Sequence, residues 1–256
     1  MKLYFFITKF YISFFALLCL SSCLKIAFTK AHILEKNVSV KYITNGNTKI
    51  VFIPMHHIGV KEFYADAKNK IDYYITSGYL VYFEGVKMGE VKDSLQKDSI
   101  LRKTRKVTGV DFVAASKTNG YLDTINNTIL GKKFRGLSKY KLVNQPKGIV
   151  NKSDSLKYKN VDATYVQIIA ACENKFGPII LNDYDIKTNF GEKYKSKKNK
   201  EMKKYFLADF RNEIIADAIL KKPINKIVLL FGTKHFDGIL ENLKKSDKNY
   251  KEVDKL

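Results

Sequence analysis

Two apolar runs constrain this chain more than any other feature. Ile50-Val51-Phe52-Ile53 and Ile227 to Phe231 (IVLLF) are unbroken and rich in β-branched and aromatic side chains. A strand wetted on one side alternates apolar with polar residues. A continuous run reads instead as a strand buried on both faces, as in a parallel sheet covered by helices.

The residues around these runs fit that reading. Val60, Phe63, Tyr64, Ala67, Ile71, Tyr74 and Ile75 recur at spacings of three and four, which predicts an amphipathic helix closed by Ser77-Gly78. Tyr79 to Phe83 (YLVYF) is a further strand, so the segment predicts one right-handed, parallel βαβ unit. Near the end, Met202, Phe206, Phe210, Ile214 and Ala218 form a helical stripe stopped by Pro223. IVLLF follows, then a helix over 236–245 and a last strand near 250–253. Between 87 and 200, segments 97–107 and 163–174 read as helices, while 108–115 and 178–181 read as strands or loops. No tandem repeat or clean linker is visible. The expected fold is a single α/β domain over 37–256, with one mixed, mostly parallel sheet flanked by helices.

The first 22 residues read as an export signal. Lys2 and Lys9 flank an aromatic stretch, and Ile12 to Leu20 (ISFFALLCL) is apolar but too short to span about 30 Å of hydrocarbon. Leu20-Ser21-Ser22-Cys23 resembles the bacterial lipobox. That resemblance implies cleavage before Cys23, acylation of its sulfur, and a tether over 23–36 that holds the protein to a membrane. Leu24 stands where an aspartate would retain many lipoproteins at the inner membrane, which by analogy favours the outer one. Cys19 leaves with the leader, so Cys172, within the apolar stretch YVQIIAACE, is expected as a small buried thiol with no disulfide.

The chain carries 46 basic and 25 acidic residues, a net charge of +21, and loss of the leader lowers this to +19. Nearly all of the positive charge is lysine. Arginine, which forks onto phosphate and guanine, occurs only at Arg102, Arg105, Arg135 and Arg211, so no nucleic-acid partner is expected. A solvated, lysine-rich surface leaning on anionic lipid fits better.

Candidate chemistry gathers where predicted parallel strands end. His57 follows the first strand in PMHH, Glu84 follows the second, and His235 follows the last in GTKH. The crevice beyond the carboxyl ends of such strands is where ligands bind. Two imidazoles and a carboxylate there suit a divalent metal with open positions or a general acid/base group. His56 sits beside His57 but points away from it. At 100° per residue Arg211 falls inside the apolar arc of its helix, so it needs an anionic partner, either an internal acid or a substrate. Asp162 and Gln145, in the middle segment, are further candidates to reach the cleft, with no geometry in the sequence to place them there. H-E-x-x-H, G-x-S-x-G, a Walker loop and C-x-x-C pairs are absent.

Taken in order, these residues resemble the TraB/GumN family. That family includes the Tiki-type membrane-anchored metalloproteases and is related in fold to the erythromycin-esterase and ChaN-like proteins. The matching residues are His57 in the first G-x-x-H motif, Glu84 some 27 residues on in YFEG, Arg211-Asn212 in FRNEIIADAI, and Gly232 to His235 with Gly238 in FGTKHFDG. Pro54 replaces the glycine of the first motif. The resemblance implies a hydrolase of peptide or ester bonds. His57, Glu84 and His235 would hold a divalent ion, with Glu84 as ligand or general base. Arg211 would position a carboxylate or an oxyanion, beside Asn212. A non-catalytic module that binds a peptide or small molecule in the same cleft is the alternative.

Overall fold

A computed structural model describes residues 24–117, 120–196, 199–221 and 224–256. Cys23, its leader and Pro223 lie outside the described residues. The centre is a six-stranded mixed sheet of β1 (Lys41–Thr44), β2 (Lys49–Met55), β3 (Leu80–Phe83), β4 (Tyr158–Asn160), β5 (Lys226–Gly232) and β6 (Lys251–Val253), in the order β6-β1-β2-β5-β3-β4. β2, β5, β3 and β4 are mutually parallel neighbours, while β1 is antiparallel to both β2 and β6.

Both apolar runs are buried on two faces, as their composition requires. Val51, Ile53, Val228 and Leu230 face helix α1 (Lys61–Thr76), against Phe63, Ala67 and Ile71. Ile50, Phe52, Ile227, Leu229 and Phe231 face α4 (Phe210–Leu220) and α5 (Phe236–Ser246) on the other side. Helix α1 ends at Ser77, and Gly78 takes φ +82°, a left-handed turn that glycine adopts without strain. A third cluster joins α2 (Ser94–Thr108) and α3 (Tyr165–Phe176) to Tyr205 and Phe206. Cys172 is fully buried there, and burial pushes its thiol up to about 11.

Several expectations are corrected. The strands of the expected βαβ unit are parallel but not adjacent, because β5 inserts between β2 and β3. β2 does not stop at Pro54 but runs through it to Met55. Pro54 is tolerated because β1 pairs only as far as Phe52, so the missing N–H leaves no β1 partner unsatisfied. Residues 112–117 form a short helix, and 178–181 are irregular. The segment read as a tether is helical over 24–30 and carries Phe28 into a small core.

The stripe before β5 is also displaced. Residues Tyr205–Asp209 form a π turn between the helix Lys200–Lys204 and α4. One extra residue in that turn advances the buried face from Phe206 to Arg211, Ile215 and Ile219, leaving Met202, Phe210, Ile214 and Ala218 only half-buried.

Candidate functional site

The carboxyl ends of the four parallel strands form one rim. His57 lies just beyond β2, Gly232 ends β5, and Glu84 and Asp162 follow β3 and β4. Inserting β5 between β2 and β3 puts the Gly232–His235 segment at the middle of this rim, with the other residues to either side.

Arg211 reaches the rim from α4, the consequence of the π turn before it. Its Nε and Nη2 grip Asp162 at 2.8 Å and 2.6 Å, Nη2 also donates to Glu84 Oε1 at 2.7 Å, and Nη1 donates to Leu207 O at 3.0 Å. Asp162 in turn accepts the backbone N–H groups of Gly85 and Ala163. The anionic partner that Arg211 needed is therefore internal: two carboxylates with one guanidinium between them.

Glu84 is held at both oxygens, Oε1 by Arg211 and Oε2 by Gly232 N–H at 2.9 Å. Burial pushes its carboxyl up, but the Arg211 charge overrides this and holds it down at about 2. His235 is buried and bonds through Nδ1 to Asn212 Oδ1 at 2.6 Å. An amide oxygen only accepts, so the ring proton sits on Nδ1 and Nε2 is the acceptor. Nε2 faces Glu84 Oε1 at 3.9 Å. Burial first, then the Arg211 charge, lowers the pKa of His235, so the ring is neutral near pH 7. Neutral Nε2 and ionised Oε1 are two acceptors facing each other, an arrangement that orients a molecule able to donate to both.

The two glycines of the second motif have separate tasks. Gly232 supplies the N–H that fixes Glu84. A Cβ at Gly238 would stand 2.1 Å from Asn212 Nδ2, so only glycine lets α5 pass close enough for Asn212 to hold His235.

His57 is at the same rim but outside this cluster. Its exposed ring stacks on Tyr121 at 4.4 Å and 15°, and its carbonyl accepts from Gln145 N. His56 packs on Phe63 instead, and burial lowers its pKa. His57 and Glu84 both line a cavity of about 430 Å³, together with Tyr121, Phe112, Tyr165 and Lys147. Glu84 is thus common to the cavity wall and the buried cluster. Among the described residues, no group of three or more His, Cys, Asp or Glu side chains is arranged to hold a metal ion. As they stand, His57, Glu84 and His235 do not fit an ion as one ligand set. His57 is stacked on Tyr121, and the Glu84 Oε1 that faces His235 already carries the Arg211 cation.

No motif in the sequence marks Asp162 or Tyr121. The signal for Asp162 was indirect: an arginine inside an apolar arc requires an acid. No family model matches this chain, nor does any curated protein or solved structure. The likeness to the TraB/GumN family therefore rests on the motif residues themselves.

Proposed function

We propose that this protein is a lipid-anchored hydrolase of the bacterial envelope, of TraB/GumN type with an erythromycin-esterase/ChaN-like fold, acting on a peptide or ester bond. The observation that carries the reading is His235 oriented through Nδ1 by Asn212, with Nε2 turned to Glu84, which lines a cavity. A general base needs this: a lone pair on a ring held in place.

In this reading, water donating to Nε2 and Oε1 is held for attack on a substrate carbonyl in the cavity. As the water oxygen bonds to the carbonyl carbon, its proton passes to Nε2. The ionised Glu84 steadies the imidazolium that forms. Collapse of the tetrahedral intermediate returns that proton to the departing nitrogen or oxygen. Arg211 touches no substrate here; it keeps Glu84 ionised and in place. His57 and Tyr121 form an aromatic wall against which a substrate group can stack.

Dependence on a divalent ion, which the motifs imply, is a separate proposal. It requires Arg211 to release Glu84 Oε1 and His57 to leave Tyr121. The lipobox ending in Cys23 supports membrane attachment, with the outer membrane favoured by Leu24. The commitment of Arg211 and of both Glu84 oxygens to internal bonds favours a second reading, a non-catalytic module that binds a ligand in the same cavity.

Incubation with mixed peptide and ester libraries tests the proposal. Turnover that falls about a hundredfold or more in His235→Gln, with the fold retained, is expected. Tight capture of a library member without turnover would replace the hydrolase with the module. Loss of turnover to a chelator, restored by Mn²⁺ or Zn²⁺, would assign the ion.

A further inference from the structure

We propose that residues 24–34 and 120–142 form a lipid-facing module that rests on an anionic bilayer, a contact separate from any acyl chain at Cys23. It goes beyond the hydrolase reading and does not depend on turnover. The two segments are far apart in sequence but share one small core, in which Phe28 packs with Ile58, Leu122, Leu137 and Leu142 and lies edge-on to Tyr140 at 5.1 Å. This core is a satellite of the main sheet. It includes a three-stranded ribbon of Leu122–Asp123, Thr128–Ile129 and Lys132–Lys133.

Three observations point to lipid as the occupant. First, the chain enters the described fold here: Leu24 packs against this core, so residues 1–23, with the proposed anchor, lead into this module. Second, the two segments carry Lys25, Lys30, Lys132, Lys133, Arg135, Lys139 and Lys141, all exposed, against the single acid Asp123. Asp123 is taken up in its own turn by the N–H groups of Ile125 and Asn126. Third, the module holds exposed apolar side chains where a water-facing turn would carry polar ones: Ile26, Leu130 and, at the ribbon's first turn, Ile125, which is 90% exposed. Basic residues with isolated large apolar side chains match an anionic membrane surface, where lysines meet headgroups and the apolar tips reach the acyl boundary. An acid-rich protein partner would satisfy the charge but not the position of the entering chain. The module also borders the cavity, because Tyr121, the stacking partner of His57, directly precedes Leu122.

The natural chain has no tryptophan, so a single introduced indole reports on one place. The full chain carrying Ile125→Trp is mixed with phosphatidylglycerol-containing vesicles and with pure phosphatidylcholine vesicles, each doped with brominated lipid. Tyr73→Trp is the control, since Tyr73 on α1 is also well exposed at 64%. Blue-shifted emission and bromine quenching at position 125, in the anionic vesicles only and weakened by salt, are expected; position 73 should show neither. Adding Lys132→Glu, Lys133→Glu and Arg135→Glu should weaken the contact about a hundredfold, at roughly fivefold per basic side chain, and abolish the quenching. Equal quenching at positions 125 and 73 would overturn the proposal. So would a blue shift that grows with protein concentration without vesicles, which would assign the face to a second copy. Both results would leave the hydrolase reading standing, because no substrate is involved.

Discussion

Arg211 and Arg105 are both withdrawn from water, at 6% and 1% exposure, and the molecule answers the two charges differently. Arg105, on α2, is met by backbone carbonyls: Nη2 donates to Asp185 O and Thr188 O, and Nη1 to Asn189 O. Its guanidinium lies over the rings of Phe190 and Tyr194, with Asp111 no closer than 3.8 Å. These are the carbonyls at the end of the short helix Asp183–Lys187, so Arg105 pins that helix to α2. Arg211 instead faces two carboxylates, and its single charge leaves one negative charge in a buried cluster beside a neutral imidazole. The first arrangement meets its charge with carbonyls and ring faces and leaves only the Arg105 Nε–H unpaired, with no lone pair to offer. The second retains charge and a lone pair that the fold does not use, and this makes it the candidate site.

Removing each arginine sharpens that contrast. Arg211→Met strands two carboxylates in a poorly hydrated pocket and should cost about 3–5 kcal/mol of stability in urea unfolding. Gly238→Ala should come next, about 1–3 kcal/mol, because its Cβ collides with Asn212 and drives it off His235. Turnover should fall with it, while an alanine at Gly148, which a Cβ meets in open space, should leave both unchanged. Arg105→Met should cost less than Arg211→Met, about 1–2 kcal/mol, because Arg102 Nη1 still donates to Asp185 O and Thr188 O and Glu192 N–H still donates to Asn189 O, so no carbonyl is left without a donor. Equal costs for the two arginine variants would break the comparison.

The pH dependence of stability tests the same cluster with the smallest perturbation. The folded pKa of His235 is depressed below its ordinary 6.5, so the unfolded chain takes up the proton first and stability declines as pH falls below 6.5. Glu84, held at about 2 against an ordinary 4.5, adds stability that is present above pH 4.5 and lost as pH falls from there towards 2. The decline below 4.5 should be shallower in Glu84→Gln.

Much of this was legible in the chain. The unbroken runs specified β2 and β5, and spacings of three and four specified α1, because long periodic segments leave few alternatives; α5 was placed by its position after β5. β1 and β4 escaped because KYIT and YKN are short and mixed in polarity. The π turn was invisible because a residue inserted into a helix changes phase without any motif to mark it. For that reason the expected stripe ran through Phe210 and Ile214 while the fold buries Arg211 and Ile215. Strand ends alone pointed Glu84 and His235 to one rim, where they lie 3.9 Å apart. Asp162 was not given its role, since a loop acid has no periodicity, and only the demand of Arg211 for a counter-charge pointed to it.

In the proposed reading His235 is a neutral base, oriented by Asn212, with Nε2 presented to Glu84. Nitrogen-15 NMR of the His235 imidazole between pH 5 and 8 tests it most directly. A proton on Nδ1, an acceptor Nε2, and a ring that is neutral at pH 7 and charges only below 6.5 are expected. An imidazolium at pH 7, or a neutral ring with its proton on Nε2 directed at Glu84, would contradict it.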